Sequence, residues 1–200
     1  MSGLSSMPKK KLAVLISGNG SNLQAIMNAC DSNQINAEVI CVGSNKKDAY
    51  GLIRAQAAQI PTFYHPFRGN TDRNEYDKQL AALLLSYHPD YVILAGWMRK
   101  LSLDFLSHFH NHVINIHPAL PNTFPGTHAI ERAFDAFQQG QISQSGVMIH
   151  YVPDEGVDNG PIILQEEVAM HHDDTLPLFE KRIHETEHRL YIEALHTLCK

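Results

Sequence analysis

The sequence predicts one α/β domain built on a mostly parallel sheet with an antiparallel C-terminal part. Two observations predict it. Apolar runs of strand length alternate with stretches that carry apolar residues at helical spacing. The early runs are also continuously apolar, as expected of strands buried on both faces. Length and composition agree, because 200 residues fit one domain and 44% hydrophobic residues can fill a sizeable core.

The elements follow in order. Residues 12–16, 38–42, 62–64, 91–95 and 113–116 read as strands, and residues 22–29, 49–58, 72–87 and 103–109 read as the helices between them. Strand–helix–strand alternation implies right-handed crossovers, a parallel sheet and helices on both faces. Residues 146–152 and 161–170 read as two longer antiparallel strands joined by a Gly/Asp loop. Residues 176–198 form a closing helix, for which Asp173 or Asp174 is a candidate cap.

Composition narrows the function classes. Asp and Glu outnumber Lys and Arg by 21 to 16, a net charge of −5, which argues against nucleic acid as the main partner. Cys30, Cys41 and Cys199 are an odd number without motif spacing, so neither a disulfide framework nor a structural zinc site is expected. The first apolar run, residues 12–17, is too short for a signal peptide or a membrane span, and a cytoplasmic protein is expected. Residues 1–10 read as a flexible extension ahead of a domain over residues 11–200.

In an open sheet of this kind ligands bind beyond the carboxyl ends of the strands. Ser17-Gly18-Asn19-Gly20-Ser21-Asn22 follows the first strand and opens a helix, where backbone N–H groups and the helix dipole favour an anion. A tight strand–helix turn is the plainer alternative. Leu23 replaces the third glycine of a dinucleotide fingerprint, and the second strand ends without an acidic residue, so a single phosphate fits best.

Val113-Ile114-Asn115-Ile116-His117-Pro118 sets an amide and an imidazole on one side of a strand end. Proline- and glycine-rich segments, residues 118–121 and 124–127, stand beside them as a stiff wall. The loop Pro153-Asp154-Glu155-Gly156-Val157-Asp158-Asn159-Gly160-Pro161 alone reads as a solvated turn. Beside His117, Asp158 becomes a candidate partner that orients the imidazole and favours its charged form.

Taken together and in order, SGNGSN, LAGWMRKLS, NIHP and DEGVDNGPI resemble the folate-dependent glycinamide ribonucleotide formyltransferase family, over nearly the whole chain. The resemblance implies a Rossmann-like formyltransferase domain that moves a formyl group from 10-formyltetrahydrofolate to the primary amine of glycinamide ribonucleotide, in purine biosynthesis. It implies Asn115, His117 and Asp158 as the catalytic trio. Gly20, Ser21 and Asn22 would hold the ribonucleotide phosphate, and Glu187 its ribose or glycinamide part. Arg73, Met98, Arg99, Lys100, Leu101, Asn115, Asp154 and Asp158 would form the folate side.

No metal and no ATP are implied, and the expected partners are these small molecules, with a monomer or homodimer and no membrane. The chain departs from the family pattern at Ala119-Leu120-Pro121-Asn122, at Trp97 and at Lys100. A formyltetrahydrofolate deformylase would use water as acceptor and need no phosphate cradle. A non-catalytic nucleotide-binding module would leave Asn115, His117 and Asp158 without a shared purpose.

Overall fold

The computed structural model describes residues 8–69 and 72–200. Most of the extension expected at residues 1–10 therefore lies outside the described residues, and the first strand opens at Lys10. Seven strands form one sheet in the order β3-β2-β1-β4-β5-β6-β7. These are β1 (Lys10–Ile16), β2 (Ala37–Ser44), β3 (Thr62–Tyr64), β4 (Tyr91–Leu94), β5 (Val113–His117), β6 (Gln144–Tyr151) and β7 (Ile162–Ala169). The first five pair in parallel, and β6 and β7 add antiparallel strands.

The continuous apolar runs are explained by cover on both faces. Leu12, Val14 and Ile16 of β1 pack with α1 (Ser21–Asp31), α2 (Tyr50–Ala57), α5 (Ala129–Gln138) and α6 (Leu176–Leu198). Ala13 and Leu15 point the other way, into a second core with α3 (Arg73–Leu85) and α4 (Leu103–Leu106). Burying one leucine or isoleucine side chain is worth about 1.5–3 kcal/mol, so β1 alone anchors both layers.

Two features differ from the sequence reading. Helix α5 was not expected, although Ala129, Ile130, Ala133 and Ala136 are buried at helical spacing. The closing helix is not capped by either aspartate, because Thr175 occupies its N-cap position without a side-chain cap bond. Asp174 instead accepts from His171 N–H at 2.8 Å and pairs with Arg182 at 2.7 Å. Two donors are stronger company for a carboxylate than a single cap bond.

The chain turns back at the β1/β4 boundary, from which β2–β3 and β5–β7 run in opposite directions across the sheet. The loops after β1 and β4 diverge there and open a crevice. Ser17 anchors the rim there, donating its hydroxyl to Asn45 Oδ1 after β2 at 2.7 Å and accepting from Met98 N–H after β4 at 2.9 Å.

Candidate active site

A cavity of about 830 Å³ opens beside that boundary. Its walls come from the loop after β4 (Trp97 to Leu101), from Asn115 and His117 of β5, from Pro125 to Ala129, and from the acidic loop (Asp154 to Asp158). Strand period two aims Asn115 and His117 the same way.

Asp158 is the centre of the polar network. Its Oδ2 lies 3.2 Å from His117 Nδ1 and accepts from Gly126 N–H at 2.8 Å. Its Oδ1 accepts from Asn115 Nδ2 at 3.1 Å and lies 3.6 Å from His150 Nε2. Burial pushes the Asp158 carboxyl up, but the neighbouring His150, the Gly126 N–H and His117 hold it below the ordinary carboxylate value. Asp158 has φ 52°, a left-handed conformation that aspartate tolerates and that such a site over-determines.

Asp158 favours the charged form of His117, as expected, but burial opposes it more strongly. Burial lowers its pKa below the ordinary histidine value, and the carboxylate recovers only part of that loss. Nδ1 faces Asp158, and Nε2 is a buried atom without a protein partner.

His150 is a member of this network that the sequence reading missed. Antiparallel pairing sets it opposite Asn115, and Asn115 Nδ2 lies 3.1 Å from His150 Nε2. Both amide protons of Asn115 thus have partners, one on Asp158 and one on His150.

The residues expected around an anion gather at a second place. Gly20, with φ 75°, is the N-cap of α1, and Ser21 and Asn22 form its first turn. A side chain at Gly20 would drive its Cβ to 2.7 Å from the Gly51 backbone at the start of α2. Arg54 fixes the loop by donating to the Asn19 carbonyl at 2.9 Å and to Asn19 Oδ1 at 3.0 Å. Glu187, buried in α6, accepts from Asn22 Nδ2 at 3.4 Å and from His184 Nδ1 at 2.7 Å. That last bond raises the His184 pKa above its ordinary value. Ser21, Lys181, His184 and His188 line a second cavity of about 410 Å³.

Of the residues expected on the folate side, Met98, Arg99, Lys100, Leu101, Asn115, Asp154 and Asp158 line the large cavity. Arg99 stacks 3.5 Å from the centroid of the Phe67 ring. Arg73 is not in the lining; it pairs with Glu155 at 3.1 Å, on the edge of the acidic loop. At the position where the chain departs from the pattern, residues 119–122, the peptide bonds are trans.

Comparisons with known proteins give the family and the fold. The formyl transferase family model matches residues 10–195. The chain is 42% identical to the phosphoribosylglycinamide formyltransferase of Dictyostelium discoideum, covering 94% of this chain and 97% of that one. It is equally 42% identical to part of the trifunctional purine biosynthetic protein adenosine-3 of Drosophila pseudoobscura pseudoobscura, covering 97% of this chain and 14% of that one. A crystal structure of glycinamide ribonucleotide transformylase 1 from Symbiobacterium toebii superposes with a TM-score of 0.90 at 38% identity, covering 98% of this chain and 91% of that one.

Proposed function

The chain belongs to the formyl transferase family, and from that premise we propose that it moves the formyl group of 10-formyltetrahydrofolate to the primary amine of glycinamide ribonucleotide in de novo purine biosynthesis. The single observation that carries the reading is the wall of the large cavity. There Asp158 accepts from Asn115 and lies 3.2 Å from His117 Nδ1, and His117 Nε2 has no protein partner.

The reaction needs what this network offers. The amine nitrogen attacks the formyl carbon, a C–N bond forms, and the carbonyl electron pair moves onto oxygen. When the oxyanion collapses, the bond to the folate nitrogen breaks. One proton leaves the attacking nitrogen and one reaches the departing nitrogen. Neutral His117 accepts the first at Nε2 and, directly or through water, returns it, a role worth roughly 10²–10⁴ in rate. Once protonated, the ring is stabilised by Asp158 and becomes a donor to the oxyanion. For Asn115 to donate to that oxyanion as well, one of its amide protons must leave His150 or Asp158. A donor of this kind is typically worth about 10²–10³.

The two substrates divide between the two cavities. The N–H groups of the first turn of α1, with Lys181 and His184 nearby, suit a phosphate dianion, and the Glu187 hydrogen bond favours the charged form of His184. Asn22 and Glu187 suit the ribose or glycinamide hydroxyl and amine groups. Trp97 to Leu101 and Asp154 to Asp158 provide the long, partly apolar wall that a pterin and its tail require. Among the described residues, no helix is long and apolar enough to cross a membrane. Small-molecule substrates, a cytoplasmic setting and a monomer or homodimer complete the reading.

Spectrophotometric formyl transfer with purified protein, run with and without glycinamide ribonucleotide, tests it. Loss of the formyl group only with the ribonucleotide present is the expected result. Loss without it would replace the reading with a deformylase, and no loss would leave a binding module.

A further inference from the structure

We propose that Arg132 is a positioning residue that holds the His117–Asp158 pair in working geometry, acting through the loop between β5 and α5. The proposal rests on the reading of that pair as the reacting site. Within residues 118–128, Asn122 (φ 62°), Phe124 (φ 47°), Gly126 (φ 80°) and His128 (φ 57°) all adopt left-handed backbone. Residues other than glycine rarely take this conformation, and it persists only where surrounding contacts over-determine it.

Arg132, one turn into α5, supplies those contacts. One terminal guanidinium nitrogen donates to the carbonyls of Phe124 and Pro125, each at 2.7 Å. Its Nε donates to the His128 carbonyl at 3.3 Å. The three carbonyls flank Gly126, whose N–H donates to Asp158 Oδ2 at 2.8 Å. That same oxygen faces His117 Nδ1 at 3.2 Å. The chain of contacts therefore runs from Arg132 to the loop, from the loop to the carboxylate, and from the carboxylate to the ring.

The three carbonyls are served from two guanidinium nitrogens held at a fixed spacing, Nε and one terminal nitrogen, whereas lysine carries its three donors on one compact ammonium. Without the clamp, the left-handed residues relax and the Gly126 donor turns away from Asp158. The carboxylate then loses a fixed direction, and with it the imidazole. Arg132 also borders the large cavity, so a direct contact with substrate is the competing role. The two roles differ in what a double mutant does.

The test is steady-state formyl transfer by Arg132→Met, Arg132→Lys, Asp158→Asn and the double variant Arg132→Met/Asp158→Asn. Misplacement of a reacting group by about 1 Å can cost roughly 100-fold, so Arg132→Met is expected to lower kcat by roughly 10- to 100-fold with each KM within about threefold. Arg132→Lys, which keeps the charge and tests the fork without removing the long side chain, is expected to recover only a small part of the loss. In the Asp158→Asn background the same Arg132→Met change is expected to cost at most about twofold, because the group it serves is already gone.

An equal penalty in both backgrounds overturns the proposal, as does full activity in Arg132→Lys. A raised KM with unchanged kcat in Arg132→Met overturns it in favour of substrate contact. Asp158→Asn at full turnover would instead overturn the reading of the site itself.

Discussion

Two carboxylates, Asp158 in the wall of the large cavity and Glu187 buried behind His184 of the second, are held in opposite ways. Glu187 projects from the middle of the 23-residue helix α6, so its position is set by the packing of that helix against the sheet. It needs only Asn22 and His184 as partners. Asp158 sits on a loop in left-handed backbone, and its position is set by donors from two separate elements, Asn115 on β5 and Gly126 in the following loop, with His117 Nδ1 3.2 Å away. A helix-borne group tolerates the loss of one contact, because the scaffold still aims it. A loop-borne group is aimed by its contacts, so each one matters. In the reading proposed above, the first carboxylate binds and the second takes part in chemistry.

The most direct way to break this comparison is Asp158→Asn. The fold should survive, since an amide is nearly isosteric, but turnover should fall by roughly 10²–10⁴ because His117 loses the anion that stabilises its protonated form. Near-normal turnover would sink the pairing. The pH profile adds a sign. Because burial lowers the His117 pKa, the acid limb of kcat/KM should lie below the ordinary histidine value of about 6.5. In Asp158→Asn the ring should titrate lower still, since the residual upward pull of the carboxylate is gone. An upward shift in the ring's NMR titration would contradict the assignment of causes.

The binding side should respond more mildly and in a different parameter. Asn22→Ala removes an amide from the first turn of α1 and strips Glu187 of a partner, so it should raise the ribonucleotide KM by roughly tenfold, the worth of one charge-assisted hydrogen bond, and the folate KM much less. Equal effects on both would mean that the phosphate does not sit at that helix.

Glu187→Gln sharpens the same point through His184. The Glu187 hydrogen bond raises the His184 pKa, so the imidazolium persists to higher pH than in an ordinary histidine. In the variant, His184 should titrate at lower pH, and ribonucleotide affinity at neutral pH should drop. An unchanged His184 titration would show that the pair is not coupled.

Most of the fold was legible because its strands are buried on both faces. Runs such as Leu-Ala-Val-Leu-Ile in β1 leave little choice, and the glycines after it mark a strand–helix turn. Helix α5 was not legible for a physical reason: it buries mainly alanines, it follows a Pro/Gly-rich loop, and its N-cap His128 is left-handed without a side-chain cap bond. The usual start signal is absent. Asn115, His117 and Asp158 could be singled out as strand-end or loop polar residues, and the structure brings them into contact. His150 could not, because its neighbour is chosen by antiparallel register with β5, 35 residues away. Arg132 escaped for the same reason as its helix. The proton balance of His117 was also beyond sequence, since burial outweighs its anionic neighbour and the degree of burial is a tertiary property.

The smallest effect concerns a carboxylate with no part in either cavity. Asp174 is held down to about 2, chiefly by its hydrogen bonds with Arg182 and against a modest upward push from burial. A carboxyl whose pKa is depressed on folding contributes stability above its ordinary value and loses it as pH falls toward the folded value. Asp174→Asn should therefore lower thermal stability at neutral pH by a small amount, about 1 kcal/mol or less given how open the Arg182 side of the pair is to solvent. The gap between variant and parent should close as pH falls from about 4 toward about 2, with turnover unaffected throughout. A gap that widened in acid would show that the carboxylate is not ionised in the folded state. A loss of turnover would show that the base of α6, and not only its middle, aims the groups that face the ribonucleotide.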